Sequence, residues 1–220
     1  MIIIQAQYLI DAVPFAGTAG THYYLKGPAI YACKEGGALI VATDGHRLGV
    51  FRDAEALVEG FPGTQDHVIV ATVGNKALLA ACKAARGDSS LKRWAVIDTV
   101  KNRVAVVLAG DAVDAGQVYT NEGSTLLSLT PAALIDGCFP DWRRVMPRMG
   151  YPDTIHAVPA SYNPAYLGAF SKLGTKITVY SEDRENPSLV RVGDRGDFIG
   201  FLMPMRNNDG VVTVPSWVEE

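Results

Sequence analysis

The chain has 220 residues, 48% of them apolar, and a formal net charge of −3. That length and apolar share support a sizeable core in one large domain or two small ones. The balanced charge excludes a protein coated in basic residues but leaves room for a local basic stripe of the kind that holds nucleic acid.

Read from the N-terminus, one pattern occurs three times: a short β-like run, a brief spacer, then an apolar-periodic helix. The first copy is Ile2-Ile3-Ile4 followed by a helix through Tyr8, Leu9, Ala12 and Val13. Strand-like runs follow at 23–25, 29–32, 38–41 and 48–51, with Gly36-Gly37 as a hairpin turn between two of them. The second copy is Val68-Ile69-Val70 and a helix over 75–85, closed by the loop Gly87-Asp88-Ser89-Ser90, with strands at 94–97, 104–108 and 118–119. Residues 109–125, rich in Gly, Asp and Ala, read as an extended loop or insertion. The third copy is Thr154-Ile155-His156-Ala157 and a helix over 164–173, with Asn163 as its cap, Pro164 at its first position and Gly174 past its end. Strands follow at 177–180, 189–192 and 198–202, the last stopping at Pro204. The turn Asn207-Asn208-Asp209-Gly210 leads to a last candidate strand at 211–214. One strand, one helix and about three mostly antiparallel strands per unit is an α+β arrangement.

Enzyme chemistry finds little support. His46 lies in Ala42-Thr43-Asp44-Gly45-His46-Arg47-Leu48, where Asp44-Gly45 reads as a hairpin turn and His46 as a surface residue on the next strand. A hydrolase centred on His46 and Asp44 would need a nucleophile, and no nucleophile elbow is present. No Gly-rich phosphate loop occurs. The four histidines are scattered without paired ligand spacing, so no metal and no cofactor is expected. Cys33, Cys82 and Cys138 form neither a metal spacing nor a disulfide framework, which points to a reduced, cytoplasmic protein. The apolar start is too short for a signal peptide and lacks a basic lead-in, and no run reaches the roughly 18 apolar residues of a membrane span.

Two features suggest binding. Lys76, Lys83 and Arg86 are spaced seven and three apart, which places them on one face of the second helix. That face is either a solvated surface or a stripe for phosphates, which holds DNA without reading its sequence. The run Phe139-Pro140-Asp141-Trp142-Arg143-Arg144-Val145-Met146-Pro147 reads as a proline-bounded connector with Trp142 packing inward, and Met203 and Met205 flanking Pro204 suit an adaptable apolar groove.

Five of these segments, in this order, resemble the bacterial DNA polymerase III beta sliding clamp family: Tyr23-Tyr24-Leu25-Lys26-Gly27, the 42–48 turn, the 139–147 connector, Tyr162-Asn163-Pro164-Ala165-Tyr166-Leu167, and Leu202-Met203-Pro204-Met205-Arg206. The resemblance implies a DNA-clamp fold, with antiparallel sheets outside and helices on the DNA side. It implies two repeat units over 1–147 that match a clamp middle domain, one unit over 148–206 that matches half of a clamp C-terminal domain, and an extra tail over 207–220; the clamp's first domain has no counterpart. The implied partners are duplex DNA, peptides of the DNA polymerase and clamp-loader type, and further copies of the chain in a homo-oligomer. Residues matching the family's peptide pocket are Leu25, Thr43, Gly45, His46, Arg47, Leu48, Pro140, Arg144, Val145, Asn163, Tyr166, Val190, Phe201, Met203, Pro204, Met205 and Arg206. Two departures stand out. Asn207 and the tail replace the single leucine that usually closes the family's chains, and the first helix carries no Lys or Arg. The expected function is therefore a clamp-like processivity factor without catalytic activity; the alternative is a clamp mimic that binds clamp ligands without encircling DNA.

Overall fold

The computed structural model describes residues 1–18, 22–83, 91–117, 124–132, 134–145, 160–181 and 185–206. The first unit runs β1 (Ile2–Gln5), α1 (Gln7–Ala12), β2 (Ala29–Ala32), β3 (Ala38–Thr43), β4 (Arg47–Asp53) and β5 (Leu57–Val58). The second repeats that order as β6 (His67–Val70), α2 (Lys76–Cys82), β7 (Lys92–Asp98), β8 (Arg103–Ala109), β9 (Thr125–Pro131) and β10 (Leu134–Ile135), with a short α3 (Ala112–Gly116) inserted before β9. The third supplies α4 (Pro164–Phe170), β11 (Ile177–Tyr180), β12 (Ser188–Val192) and β13 (Phe198–Leu202).

The units exchange their leading strands. One sheet has the order β5-β1-β7-β8-β9, and the other runs β10-β6-β2-β3-β4-β13-β12-β11. Thus β1, with β5 of its own unit on one side, pairs antiparallel on the other with β7 of the second unit (Ile3 opposite Val96), and β6, beside β10, does the same with β2 (Ile30 opposite Val68). Such an exchange makes the first two units interdependent, because neither sheet is complete without both. The third unit joins edge to edge through β13 and β4, with Gly200 opposite Gly49.

One core spans all three units. Ile2 and Ile4, Leu9 of α1, Leu78 and Cys82 of α2, Phe15, Phe51, Phe170 and Phe198 all lie in it. Phe15 and Phe170 meet edge to face at 5.0 Å between centroids, each ring lying over a seam glycine, Phe15 over Gly49 and Phe170 over Gly200. The outer sheet faces have covers of their own. The 139–145 connector sets Phe139 and Trp142 on Tyr31, Val41 and Leu48, and α3 sets Ala112 and Ala115 on Trp94 and Val107. Strands covered on both faces are apolar almost throughout, as β3 is.

Three expectations need correction. Residues Tyr23–Leu25 form a 3-10 turn rather than a strand. The segment after Ala109 is not merely a loop: Asp111 caps α3, its Oδ1 accepting the Asp114 N–H at 2.9 Å, and β9 follows. Helix α2 ends at Cys82, and Lys83 is its extended C-cap, so Lys83 leaves the helical face it would have shared with Lys76. Arg86, the runs at 118–119 and 154–157, the 147/148 boundary and the tail with its candidate strand lie outside the described residues.

Candidate functional site

The β4–β13 seam carries a cleft on the outer face of its sheet. The β3–β4 hairpin builds one side. Gly45 turns the chain at φ +91°, a conformation that favours glycine. Asp44 Oδ1 accepts the N–H groups of His46 (2.9 Å) and Arg47 (3.0 Å), and Thr43 Oγ1 accepts the Gly45 N–H (3.1 Å) while donating to the Arg47 carbonyl (2.8 Å). This turn is pinned by its own side chains, which explains why an Asp-Gly pair with a preceding Thr stands there. Arg47 forms an ion pair with Asp44 at 3.1 Å and donates to the Ala165 carbonyl at 3.3 Å, tying the hairpin to α4 of the third unit.

His46 projects beside that unit. Its ring stacks on Tyr166 at 5.1 Å and 13°, and the Arg47 guanidinium lies over the same Tyr166 ring at 5.2 Å. The His46 carbonyl accepts the Met203 N–H at 2.9 Å, which holds the segment after β13 against the turn. Asn163 sits behind, capping α4 through Ala165.

The cleft floor is apolar: Leu25, Leu48 and Phe201 are nearly buried, and Leu48 stands opposite Phe201 across the seam. The connector closes the far side with Pro140, Asp141, Trp142 and Val145, the last 40% exposed. Arg143 lies over the Trp142 ring at 4.4 Å and bridges to Tyr31. Burial pushes the Tyr31 hydroxyl well above its ordinary range, with the Asp66 carboxylate adding to the effect. Met203, 37% exposed, forms the rim beside Thr43, Gly45, His46 and Arg47.

The other sequence-derived positions fall around rather than in this cleft. Tyr166 and Asn163 support its edge. Arg144 is exposed on the connector, and Pro204, Met205 and Arg206 continue along the rim, with Met205 bridging to Ser161. Val190 is fully buried in the helix-side core opposite Gly200, so its side chain does not reach the cleft. The lining also includes Asp141, Trp142, Pro187 and Leu202. Trp142 and Leu202 sat inside motifs already singled out; Pro187 carried no signal.

Of the basic set, Lys83 in its extended C-cap conformation does not share a helical face with Lys76. Lys76 is exposed in the first turn of α2, Lys83 is exposed past its end, and α1, whose exposed residue is Gln7, carries no Lys or Arg. Among the described residues no group of three or more His, Cys, Asp or Glu is placed to hold a metal, and no helix is long and apolar enough to cross a membrane.

No family model and no curated protein sequence matches the chain. Solved structures do. A DNA polymerase sliding clamp from Pseudomonas aeruginosa, solved with a ligand, superposes with a TM-score of 0.58 at 18% identity over 93% of this chain and 65% of that one. The sliding clamp (DNA polymerase III subunit beta) of Bartonella birtlesii, bound to griselimycin, gives 0.61 at 19% identity over 93% and 65%. The DNA polymerase III beta chain of Streptococcus pneumoniae gives 0.57 at 15% identity over 93% and 64%. At such identities the likeness is one of fold, and the fold of this chain is that of the sliding clamps; the chain spans about 65% of their length.

Proposed function

We propose that the chain is a clamp-like docking protein of DNA replication or repair, binding rather than catalytic, that takes short peptides from polymerase-type partners in the β4–β13 cleft and follows duplex DNA through phosphate contacts. The observation that carries this reading is the cleft itself. It has an apolar floor of Leu25, Leu48 and Phe201 beside a hydrogen-bonded turn, with the thioether of Met203 at the rim. Apolar walls with a few fixed polar groups are what an anchored peptide needs, and methionine adapts its shape to different side chains. Two of the sliding clamps that share this fold were solved with a ligand or with griselimycin bound. Association of copies into a closed arrangement belongs to the proposal.

Calorimetric titration tests it. A peptide with a glutamine and two apolar anchors is expected to bind the native chain, and Met203→Ala and His46→Ala are expected to weaken it. Full affinity in both variants overturns the proposed site.

The lack of any Lys or Arg on α1 favours a second reading, a mimic that binds clamp ligands without encircling DNA. The two readings differ in one titration. For the clamp, duplex binding is weak, independent of sequence and steeply salt-dependent, and is lost when Lys76, Lys83 and Arg86 are all replaced by Glu. Peptide binding with no duplex binding at low salt selects the mimic.

A further inference from the structure

The outer face of the five-stranded sheet carries a second cavity, in the other sheet from the cleft and of different character. Its floor is Val96 of β7 and Ala105 of β8, which oppose each other in the ladder, with Leu129 of β9 opposite Ala105 on the next strand. The period-two alternation of strands sends these three side chains to one face. Met1 closes the side next to β1. It is braced by α3: a Cβ added to Gly116 would lie 3.0 Å from Ile3 Cδ1 and 3.5 Å from Met1 Cε. The cavity measures about 160 Å³, and an apolar cavity of about 150 Å³ holds a benzene ring.

One end of this cavity is charged. Asp98 and Arg103 face each other where β7 turns into β8, and Lys101 rises from the turn between them. Asp98 is already engaged. Its Oδ1 accepts the N–H groups of Lys101 (2.9 Å) and Val100 (3.1 Å), and its Oδ2 lies 3.8 Å from Lys101 Nζ. Those contacts, the Lys101 N–H foremost, hold the carboxyl below its ordinary range, so it is ionised at neutral pH. Arg103 is left over. It is half-buried, its Nε is buried without an acceptor, and among the described residues it forms no ion pair; the Asp98 charge acts on it at longer range. A buried donor with no acceptor is costly. The Met1 amino group does not alter the balance, because it pairs with Glu59 at 3.5 Å. Arg103 and Lys101 against Asp98 leave one excess positive charge.

We propose that this cavity binds a small monocarboxylate with an apolar body about the size of a benzene ring, its carboxylate on the Arg103 guanidinium and its body over Val96, Ala105 and Leu129 against Met1. The planar fork of arginine matches a carboxylate through two parallel hydrogen bonds. One excess positive charge balances one negative charge, whereas a phosphate dianion would carry a second charge toward the Asp98 carboxylate. A neutral ligand leaves the guanidinium unanswered, and an inorganic anion leaves the apolar floor uncovered. Met1 on one side and Leu129 on the other bound the space at the size of the acid itself, which suits a free acid better than the end of a longer chain. The cavity belongs to the five-stranded sheet and the peptide cleft to the eight-stranded one, so either assignment can fail without the other.

Methyl NMR on the 220-residue chain tests it, with phenylacetate as the probe. Phenylacetate is expected to shift the methyl signals of Met1, Val96, Ala105 and Leu129 saturably and to leave Met203, at the peptide cleft, unmoved. Phenylacetamide has the same shape without the charge and should bind at least about tenfold more weakly, the loss of a charge-assisted hydrogen bond. Arg103→Met should show the same loss for phenylacetate, with Arg103→Lys in between. No saturable shift at these methyls overturns the proposal, and so does equal binding of acid and amide. Inorganic phosphate that moves the same signals as strongly overturns the carboxylate assignment. An acetylated peptide ending in phenylalanine that binds there more tightly than phenylacetate overturns the choice of a free acid. Should Arg103→Met fail to fold, the comparison of acid with amide on the native chain decides alone.

Discussion

Replacing Gly200 by alanine adds one methyl group at the tightest point of the seam that carries the cleft. An ideal Cβ there lies 2.4 Å from Phe170 Cε1 and 3.0 Å from the end of the Phe198 ring. Phe170 is fully buried and locked edge to face on Phe15, so it has nowhere to retreat. Overpacking of this kind costs about 1–3 kcal/mol, and the stiffer unfolded chain returns about 0.4–1 kcal/mol, which at the middle of both ranges leaves a net loss of roughly 1–2 kcal/mol. For a chain of this size that is a fall of about 2–8 °C in melting temperature. Gly168→Ala supplies the control. It lies in α4 of the same unit with open space at its Cβ, and a helical Gly→Ala exchange gains about 0.5–1 kcal/mol. Urea unfolding followed by circular dichroism reads both, and Phe201, next in sequence and on the cleft floor, should carry the disturbance into weaker peptide binding. A Gly200→Ala variant as stable as the parent would refute the account of how the third unit docks.

Acid should loosen the same junction. Arg195 donates to Asp197 (2.6 and 3.0 Å) and to Asp11 of α1 (2.9 Å), linking the first and third units, and its hydrogen bonds to Asp197 hold that carboxyl below its ordinary range. A depressed carboxyl contributes fully above its unfolded value of about 4 and is lost as pH falls through the folded value. Arg195→Met should therefore lower stability near neutral pH by about 1–3 kcal/mol and flatten the acid limb of a stability profile; an unchanged acid limb refutes the link. Asn163→Ala, which removes the α4 cap, should cost about 0.5–2 kcal/mol and loosen Tyr166 from His46, with Asn163→Ser restoring most of the loss in the same urea assay.

The sequence made some of this visible and hid the rest for identifiable reasons. Apolar runs such as Ile2-Ile3-Ile4 and Val104–Leu108 located strands, because burial on both faces leaves little room for polar residues. Periodicity does not say which strand a strand joins, so the exchange of β1 and β6 between sheets was out of reach. β9 was missed because its bulge at Leu127 breaks the alternation that marks a strand. The Asp111 cap was a legible sign of α3 that composition obscured. At the cleft, the 42–48 turn and the connector were read from motifs, and the structure brings them together. Val190 lies one residue from Leu189 on the outer face but points into the core, the period-two alternation that a motif match does not weigh.

The central claim is that peptides dock in the cleft on the β4–β13 seam. A peptide carrying a photoreactive group at one apolar anchor, irradiated on the native chain and mapped by mass spectrometry, tests it most directly. Labels are expected on Met203, Val145 and the 42–48 turn, all competed away by unlabelled peptide. Competable labels confined to α2 or β9, with none on the seam, would contradict it.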